Sequence, residues 1–373
     1  MSQFSVIGKN VPKVDAFEKV TGQPIYAADL KMQGMLYGKI VRCMDHAHAR
    51  VARLDFSEAL KVPGVVKVLG PQDVTQNTYN TGACDEMVSD KVGHLLGDLR
   101  DQSIFTDHVR HQGDAICGVI ATSEEIAERA AAKVIVEYEP LKVFMTPSEA
   151  EAEGTFQMHP DKANNMAFEL PEAMFPGNKY GWGDADEAMK EADLIVEDSY
   201  VTEAAHQGYI EPNACVAQMG SDGKGELWCC TQGHWVVQKT CAALLGIETS
   251  QLRVTASEIG GGFGGKTTVF VEPVALALSR KASRPVKIAM QRSEVLRATG
   301  PTASASMDVK IGFKKDGTIT AAEGTFRLQG GAFPGAPMEM SAMCAFACYD
   351  LPNIRQVGWD VVCNRPKQAA YRA

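Results

Sequence analysis

The chain has 373 residues, 45% hydrophobic and 22% charged, which is ordinary globular composition with material for two or three domains. Its formal net charge of −9 gives no basic field to attract phosphate backbones, which excludes nucleic acid as the main partner. No apolar run reaches bilayer-spanning length, so no membrane span is expected.

Residues 1–20 read as an arm that ends at the turn Thr21-Gly22-Gln23-Pro24. Residues 35–41 and 65–69 are β-prone; between them 56–60 is a short helix stopped before Pro63-Gly64, and 71–74 is a helical turn. Residues 76–104 are polar and irregular. Residues 115–121 form a buried strand, Ser123 caps a helix over 126–133 with Glu124 and Glu125 in its first turn, and 134–138 is a strand. Strands and helices alternate without a βαβ rhythm, so residues 1–140 are expected to form an α+β domain.

Residues 141–190 are expected to be a connector, rich in Pro, Gly, Asn and charge, that wraps the surface and runs into a helix over 184–192. The second domain is 191–373. Its strands are 194–201, 215–219 and 226–230, the last two around Asp222-Gly223. A helix over 236–245 closes at Gly246. A short strand at 252–256 leads into a glycine run, followed by an apolar helix over 269–280 that carries Pro273 in its first turns. Residues 286–290 are a buried strand, and 303–313 pairs with 319–328 around Lys315-Asp316-Gly317-Thr318. The ten cysteines are scattered with no C-x-x-C pair, so zinc and iron–sulfur spacings are absent and buried reduced thiols are expected. Cys344 and Cys348 are spaced to share a helix face within the core. Residues 1–13 lack the apolar core of a secretory leader, so a cytoplasmic protein is expected. His46 and His48 lack a carboxylate or cysteine at ligand spacing and are expected to be structural.

The run Gly260-Gly261-Gly262-Phe263-Gly264-Gly265-Lys266 organises the chain, because glycines let backbone N–H groups converge on an anionic ligand. Gly260 to Thr267 formally satisfies the P-loop pattern, which leaves a nucleotidase as one alternative and a non-catalytic scaffold fragment as another. Against the P-loop, the preceding residues 253–259 alternate and carry charge, where a buried parallel strand would be continuously apolar.

With Thr231-Gln232 upstream, the glycine run resembles that of the molybdenum-binding subunit of the xanthine dehydrogenase/aldehyde oxidase family. Asp45-His46-Ala47-His48-Ala49-Arg50-Val51, Pro63 to Val68, His111-Gln112-Gly113-Asp114-Ala115 and Glu137 to Leu141 resemble that family's a/b hammerhead domain. Tyr209-Ile210-Glu211-Pro212, Tyr349 to Ile354, Asn364-Arg365-Pro366 and Ala370-Tyr371-Arg372 follow in the family's order. The resemblance implies an a/b hammerhead domain followed by the first molybdopterin-binding domain, with the second such domain absent from this chain. It implies a molybdenum-pyranopterin cofactor (molybdopterin or its cytosine dinucleotide form) with no direct protein ligand to the metal. It further implies a hydroxylase that inserts water-derived oxygen into a C–H bond of an aldehyde or heteroaromatic small molecule, passing electrons to 2Fe-2S and FAD partner subunits.

By position in the motifs, Gln232 corresponds to the glutamine that hydrogen-bonds a molybdenum oxo group, and Gly262, Phe263 and Gly264 to backbone that approaches the cofactor. Arg372 corresponds to an arginine beside the metal that steadies developing negative charge. Phe263, Thr267 and Met340 fall at substrate-pocket positions. Purine-oxidising relatives carry Glu at the Thr267 position and Arg at the Met340 position, so xanthine is disfavoured. Copper–molybdenum carbon monoxide oxidisers carry Cys where this chain has Ala373. The family's general-base Glu falls in the second domain, so no carboxylate here takes that role.

Overall fold

The computed structural model describes residues 4–80, 101–152, 154–169 and 177–371. Two large sheets carry the molecule. The first has seven strands in the order Leu252–Ala256, Gly225–Cys229, Ala214–Met219, Val286–Ala289, Leu36–Arg42, Ala115–Ala121 and Val65–Leu69. Its centre is the parallel pairing of Leu36 with Val286, so strands from both sides of residue 140 share one sheet. The helix Glu272–Ala282 packs across it, and Leu276, Leu278, Val286, Ile288, Leu36 and Ile120 form the main core with near-zero exposure. Pro273 stands in the first turn of this helix, where its missing N–H breaks no intrahelical bond.

The second sheet runs Met166–Glu169, Ile354–Val362, Ile319–Gly331, Ala305–Phe313 and Leu194–Thr202, with Tyr180–Trp182 also pairing to Ile354–Val362. The expected hairpin is present, with Gly317 at φ +90° in its turn. A three-stranded sheet, His108–Val109, Ala49–Asp55 and Ile135–Pro140, completes the N-terminal part. The mixture is α+β, as expected.

Several elements differ from the sequence reading. Strands Ala49–Asp55 and Ile354–Val362 and helices Arg292–Ala298 and Met338–Cys344 were not foreseen. Ile354–Val362 hides from periodicity because its buried face carries Gln356 and Asp360, both fully buried, beside Ile354. The stretch 141–180 is less of a surface wrapping than expected, since 166–169 and 180–182 hydrogen-bond into the second sheet. The helix expected from 269 starts at Glu272. Cys344 and Cys348 are exposed, not core residues, while Cys43, Cys117, Cys215, Cys229, Cys230, Cys241 and Cys363 are buried and unpaired. Cys84 and most of the polar stretch 76–104 lie outside the described residues. His48 is structural, as expected: it is buried, its Nε2 is 3.0 Å from His108 Nε2, and its Nδ1 bonds the Lys142 carbonyl. Among the described residues no helix is long and apolar enough to cross a membrane.

Candidate functional site

The glycine run is tied down by a carboxylate. Glu211 Oε2 accepts the Gly260 N–H at 2.8 Å and the Lys266 ammonium at 2.7 Å, while the Glu211 N–H donates to the Gly260 carbonyl at 3.1 Å. The Lys266 side chain is wholly buried, and its Nζ also sits 4.8 Å above the Tyr209 ring. The Tyr209 hydroxyl bonds Asn213 and Thr299, and burial pushes its pKa up to about 12, so the phenol stays neutral. Nothing in the spacing of Tyr209-Ile210-Glu211-Pro212 marks a role for Glu211. Only folding shows that it locks both ends of the run.

This geometry removes the P-loop alternative. A P-loop lysine must reach phosphates at the loop mouth; Lys266 is turned inward onto Glu211. The preceding strand, Leu252–Ala256, is at the sheet edge, and the following helix begins only at Glu272.

Gln232 faces the run from the other side. Its Oε1 accepts the N–H groups of Gly264 (3.0 Å) and Lys266 (3.3 Å), and its own N–H donates to the Lys266 carbonyl at 2.8 Å. Two N–H donors can only address the amide oxygen, so the orientation of the side chain is fixed. The NH₂ end is left as a neutral donor that makes no hydrogen bond among the described residues, on an exposed residue. A Cβ on Gly262 would lie 2.4 Å from Gln232 Oε1, so the close approach requires glycine there. Gly264 has φ +99°, and a Cβ on it would lie 2.7 Å from the Ala370 carbonyl oxygen. Phe263 itself has φ +52°, which is costly for a residue with a side chain, and the residue is 55% exposed. Thr267 Oγ1 closes the turn onto the Gly264 carbonyl at 2.9 Å.

The C-terminal segment 364–371 forms a strap against this loop. Gln207 Nε2 donates to the carbonyls of Gly300 (3.0 Å) and Ala370 (2.8 Å), and the Ala369 N–H donates to Pro301 at 2.8 Å. Gln207, which no sequence pattern marked, therefore sets how closely Ala370 approaches Gly264. Arg372 lies outside the described residues. Met340 is not brought to the run: it is exposed on helix Met338–Cys344, whose buried side packs with Phe326, Leu328 and Ala336. Gln232, Gly262, Phe263, Gly264 and Thr267 do come together.

The run turns its N–H groups inward, Gly260 onto Glu211 and Gly264 and Lys266 onto Gln232, and leaves the Gln232 and Phe263 side chains exposed. A family model described as "Molybdopterin cofactor-binding domain" matches residues 158–373. A second, described as "Aldehyde oxidase and xanthine dehydrogenase, a/b hammerhead domain", matches residues 21–142. The chain belongs to this molybdopterin cofactor-binding family, with the hammerhead domain preceding the cofactor-binding domain.

Among curated proteins, the nicotinate dehydrogenase large molybdopterin subunit of Eubacterium barkeri is 29% identical over 99% of this chain and 82% of its own length. The xanthine dehydrogenase molybdenum-binding subunit of Escherichia coli O157:H7 is 32% identical over 82% of this chain and 39% of its own. The solved aldehyde oxidoreductase of Desulfovibrio gigas superposes with a TM-score of 0.83 at 30% identity, covering 97% of this chain and 39% of that one. The chain thus spans about two fifths of the latter two and most of the first.

Proposed function

We propose that this chain is the first cofactor-binding portion of a molybdenum hydroxylase, acting on a C–H bond of an aldehyde or heteroaromatic molecule. The observation that carries the proposal is the amide of Gln232, whose oxygen is pinned by Gly264 and Lys266 so that its NH₂ group is offered beyond the loop. The residues fit a pyranopterin: Gln232 supplies a neutral donor, and Gly262 and Gly264, by admitting the Gln232 amide and the Ala370 carbonyl, hold the loop in the shape that presents it. When bound, the molybdenum pyranopterin (molybdopterin or its cytosine dinucleotide form) would supply the redox chemistry and the water-derived oxygen.

The chain's own residues bind and orient. Gln232 donates one hydrogen bond without adding charge. Phe263, held in its left-handed conformation by the turn, walls one side of the substrate pocket, with Thr267 as a further pocket position. From its position in the Ala370-Tyr371-Arg372 motif, Arg372 is assigned the role of steadying negative charge that develops on the substrate. No carboxylate of this chain is assigned as general base; the proposal takes it from a second cofactor-binding domain or subunit.

Surface chemistry supports such a partner. Ile210, Trp235 and Tyr371, sequence neighbours of Glu211, Gln232 and Ala370, are exposed. The edge strand Leu194–Thr202 is exposed along its whole length, with Leu194, Val196, Tyr200 and Val201 at least half open. Electrons would leave through a 2Fe-2S subunit and a flavin subunit, in a cytoplasmic heteromeric complex.

The test is metal and pterin analysis of the chain purified alone and after co-expression with a chain carrying the second cofactor-binding domain. Stoichiometric molybdenum and turnover are expected only for the pair, and Gln232→Leu should reduce turnover in the loaded pair. Full cofactor and turnover in the lone chain would sink the half-site reading. A pair that never retains pterin would leave a scaffold fragment instead.

A further inference from the structure

The segment 206–211 carries the side chains that hold the glycine run: Tyr209 beneath Lys266, and Glu211 on Gly260 and Lys266. It belongs to no helix or strand, lying between Leu194–Thr202 and Ala214–Met219. Its backbone carbonyls therefore need partners from elsewhere.

The short helix Arg292–Ala298 supplies them. At its start, the Arg292 guanidinium donates through Nη1 to the Tyr209 carbonyl at 2.9 Å and through Nη2 to the Ile210 carbonyl. Just past its end, Thr299 Oγ1 accepts the Tyr209 hydroxyl at 3.1 Å and lies 2.9 Å from His206 Nε2. The two ends of the helix thus grip one irregular segment. Tyr209 and Thr299 are buried, whereas Arg292 is exposed. An exposed arginine ordinarily meets a carboxylate or water. Arg292 forms no ion pair among the described residues and instead forks across two consecutive carbonyls, a geometry that a lysine cannot reproduce.

The same helix is fastened to the hammerhead part. Glu294, which is buried, accepts the Lys39 ammonium at 2.8 Å and the Gln291 N–H at 2.8 Å. Gln291 Nε2 donates to Glu128 Oε1 at 2.6 Å. Lys39 lies on strand Leu36–Arg42 and Glu128 on helix Glu124–Ala131.

We propose that Arg292 is a positioning residue for the glycine run. By holding the two carbonyls that precede Glu211, it sets where that carboxylate stands, and through Glu211 the shape of the loop that presents the Gln232 amide. Its footing on a helix tied to Lys39 and Glu128 gives the hammerhead part a task at the site, which is to brace this clamp. Only the consequence for turnover rests on the molybdenum reading; the positioning concerns residues of this chain alone.

The experiment is hydrogen–deuterium exchange, read by mass spectrometry, on the full chain and its Arg292→Ala and Arg292→Lys variants. Arg292→Ala should speed exchange in peptides covering 258–268 by about tenfold, the factor for one charge-assisted hydrogen bond, while peptides of the hairpin 305–331 keep wild-type rates. Arg292→Lys should fall between the two, since a point charge replaces the fork. Because the position is exposed, guanidinium well below denaturing concentration should restore protection to Arg292→Ala where equal urea does not. Lys39→Met, which removes the hammerhead footing, should loosen the same peptides to a smaller degree. If Arg292→Ala does not fold, Arg292→Lys carries the comparison. Unchanged exchange at 258–268, or a loss of protection spread equally over the hairpin, would overturn the proposal. Exchange is read without cofactor, so a wild-type pair that retains no pterin would sink the molybdenum reading alone.

Discussion

Lys266 and Lys367 are both almost wholly removed from water, at 1% and 4% exposed, yet they are held in opposite ways. Lys266 meets a carboxylate at 2.7 Å that also caps the glycine run, with a tyrosine ring beneath it. Lys367 meets no acceptor, and burial pulls its pKa down to about 8. The contrast separates a cation that builds a loop from one that the fold leaves open. Sequence context does not make the distinction: the lysine inside a nucleotide-binding pattern is the strut, and the lysine in an unremarked strap lines a cavity.

The comparison breaks first at Lys266. Lys266→Met should leave the largely buried Glu211 carboxylate with the Gly260 N–H but without its counter-ion, at a cost of about 3–5 kcal/mol, whereas adding Glu211→Leu should recover much of it. Urea unfolding of the single and double variants checks both values. A single variant as stable as the wild type would mean that the pair does not hold the loop.

Next in size is the acid response of the neutral buried pair, His48 and His108. Burial lowers both pKa values, with His108 down to about 3 and the charges of Arg110 and Arg50 adding to the effect. Below pH 6.5 the unfolded chain binds protons that the folded pair refuses, so this contribution to stability is present above about pH 6.5 and lost as pH falls toward 3. The loss is on the order of 3 kcal/mol. Asp101 and His111 act in the opposite sense, since their folded pKa values are raised. The check is therefore a difference: the stability of His108→Gln should fall less steeply than that of the wild type between pH 6.5 and 4.

Gly264→Ala tests the loop against the strap. The new Cβ meets the Ala370 carbonyl oxygen at 2.7 Å in a left-handed backbone, for an expected loss of about 1–3 kcal/mol. Its melting temperature should drop, and cofactor retention in the assembled pair with it. A tolerated Ala with unchanged retention would show that the strap yields. The smallest effect is at Lys367 itself, where the melting temperature of the methionine variant should match or slightly exceed that of the wild type.

Much of the fold was legible where hydrophobic period and turn chemistry agree. Ala115–Ala121 is apolar throughout, Val286–Ala289 is apolar except at Lys287, and the hairpin is bounded by the turn Lys315-Asp316-Gly317-Thr318, so local pattern suffices. Ile354–Val362 escaped because Gln356 and Asp360 occupy its buried face. Asp360 caps the Gly335 and Ala336 N–H groups, a tertiary role that inverts the expected polarity. At the site, Gln232, Gly262, Phe263 and Gly264 were marked in advance by glycine density and motif order. Glu211 and Gln207 were not, because each acts on a segment dozens of residues away.

The sequence by itself determined the family, the α+β class and the glycine run that marks the candidate site, because glycines in this order leave few conformations and few uses. Only the tertiary structure decided what each polar group does. It turned Lys266 inward onto Glu211, aimed the Gln232 amide outward by occupying its oxygen, and enclosed Lys367 with no acceptor. Those outcomes depend on which buried donors find partners, and partner choice is settled by packing between distant segments rather than by local spacing.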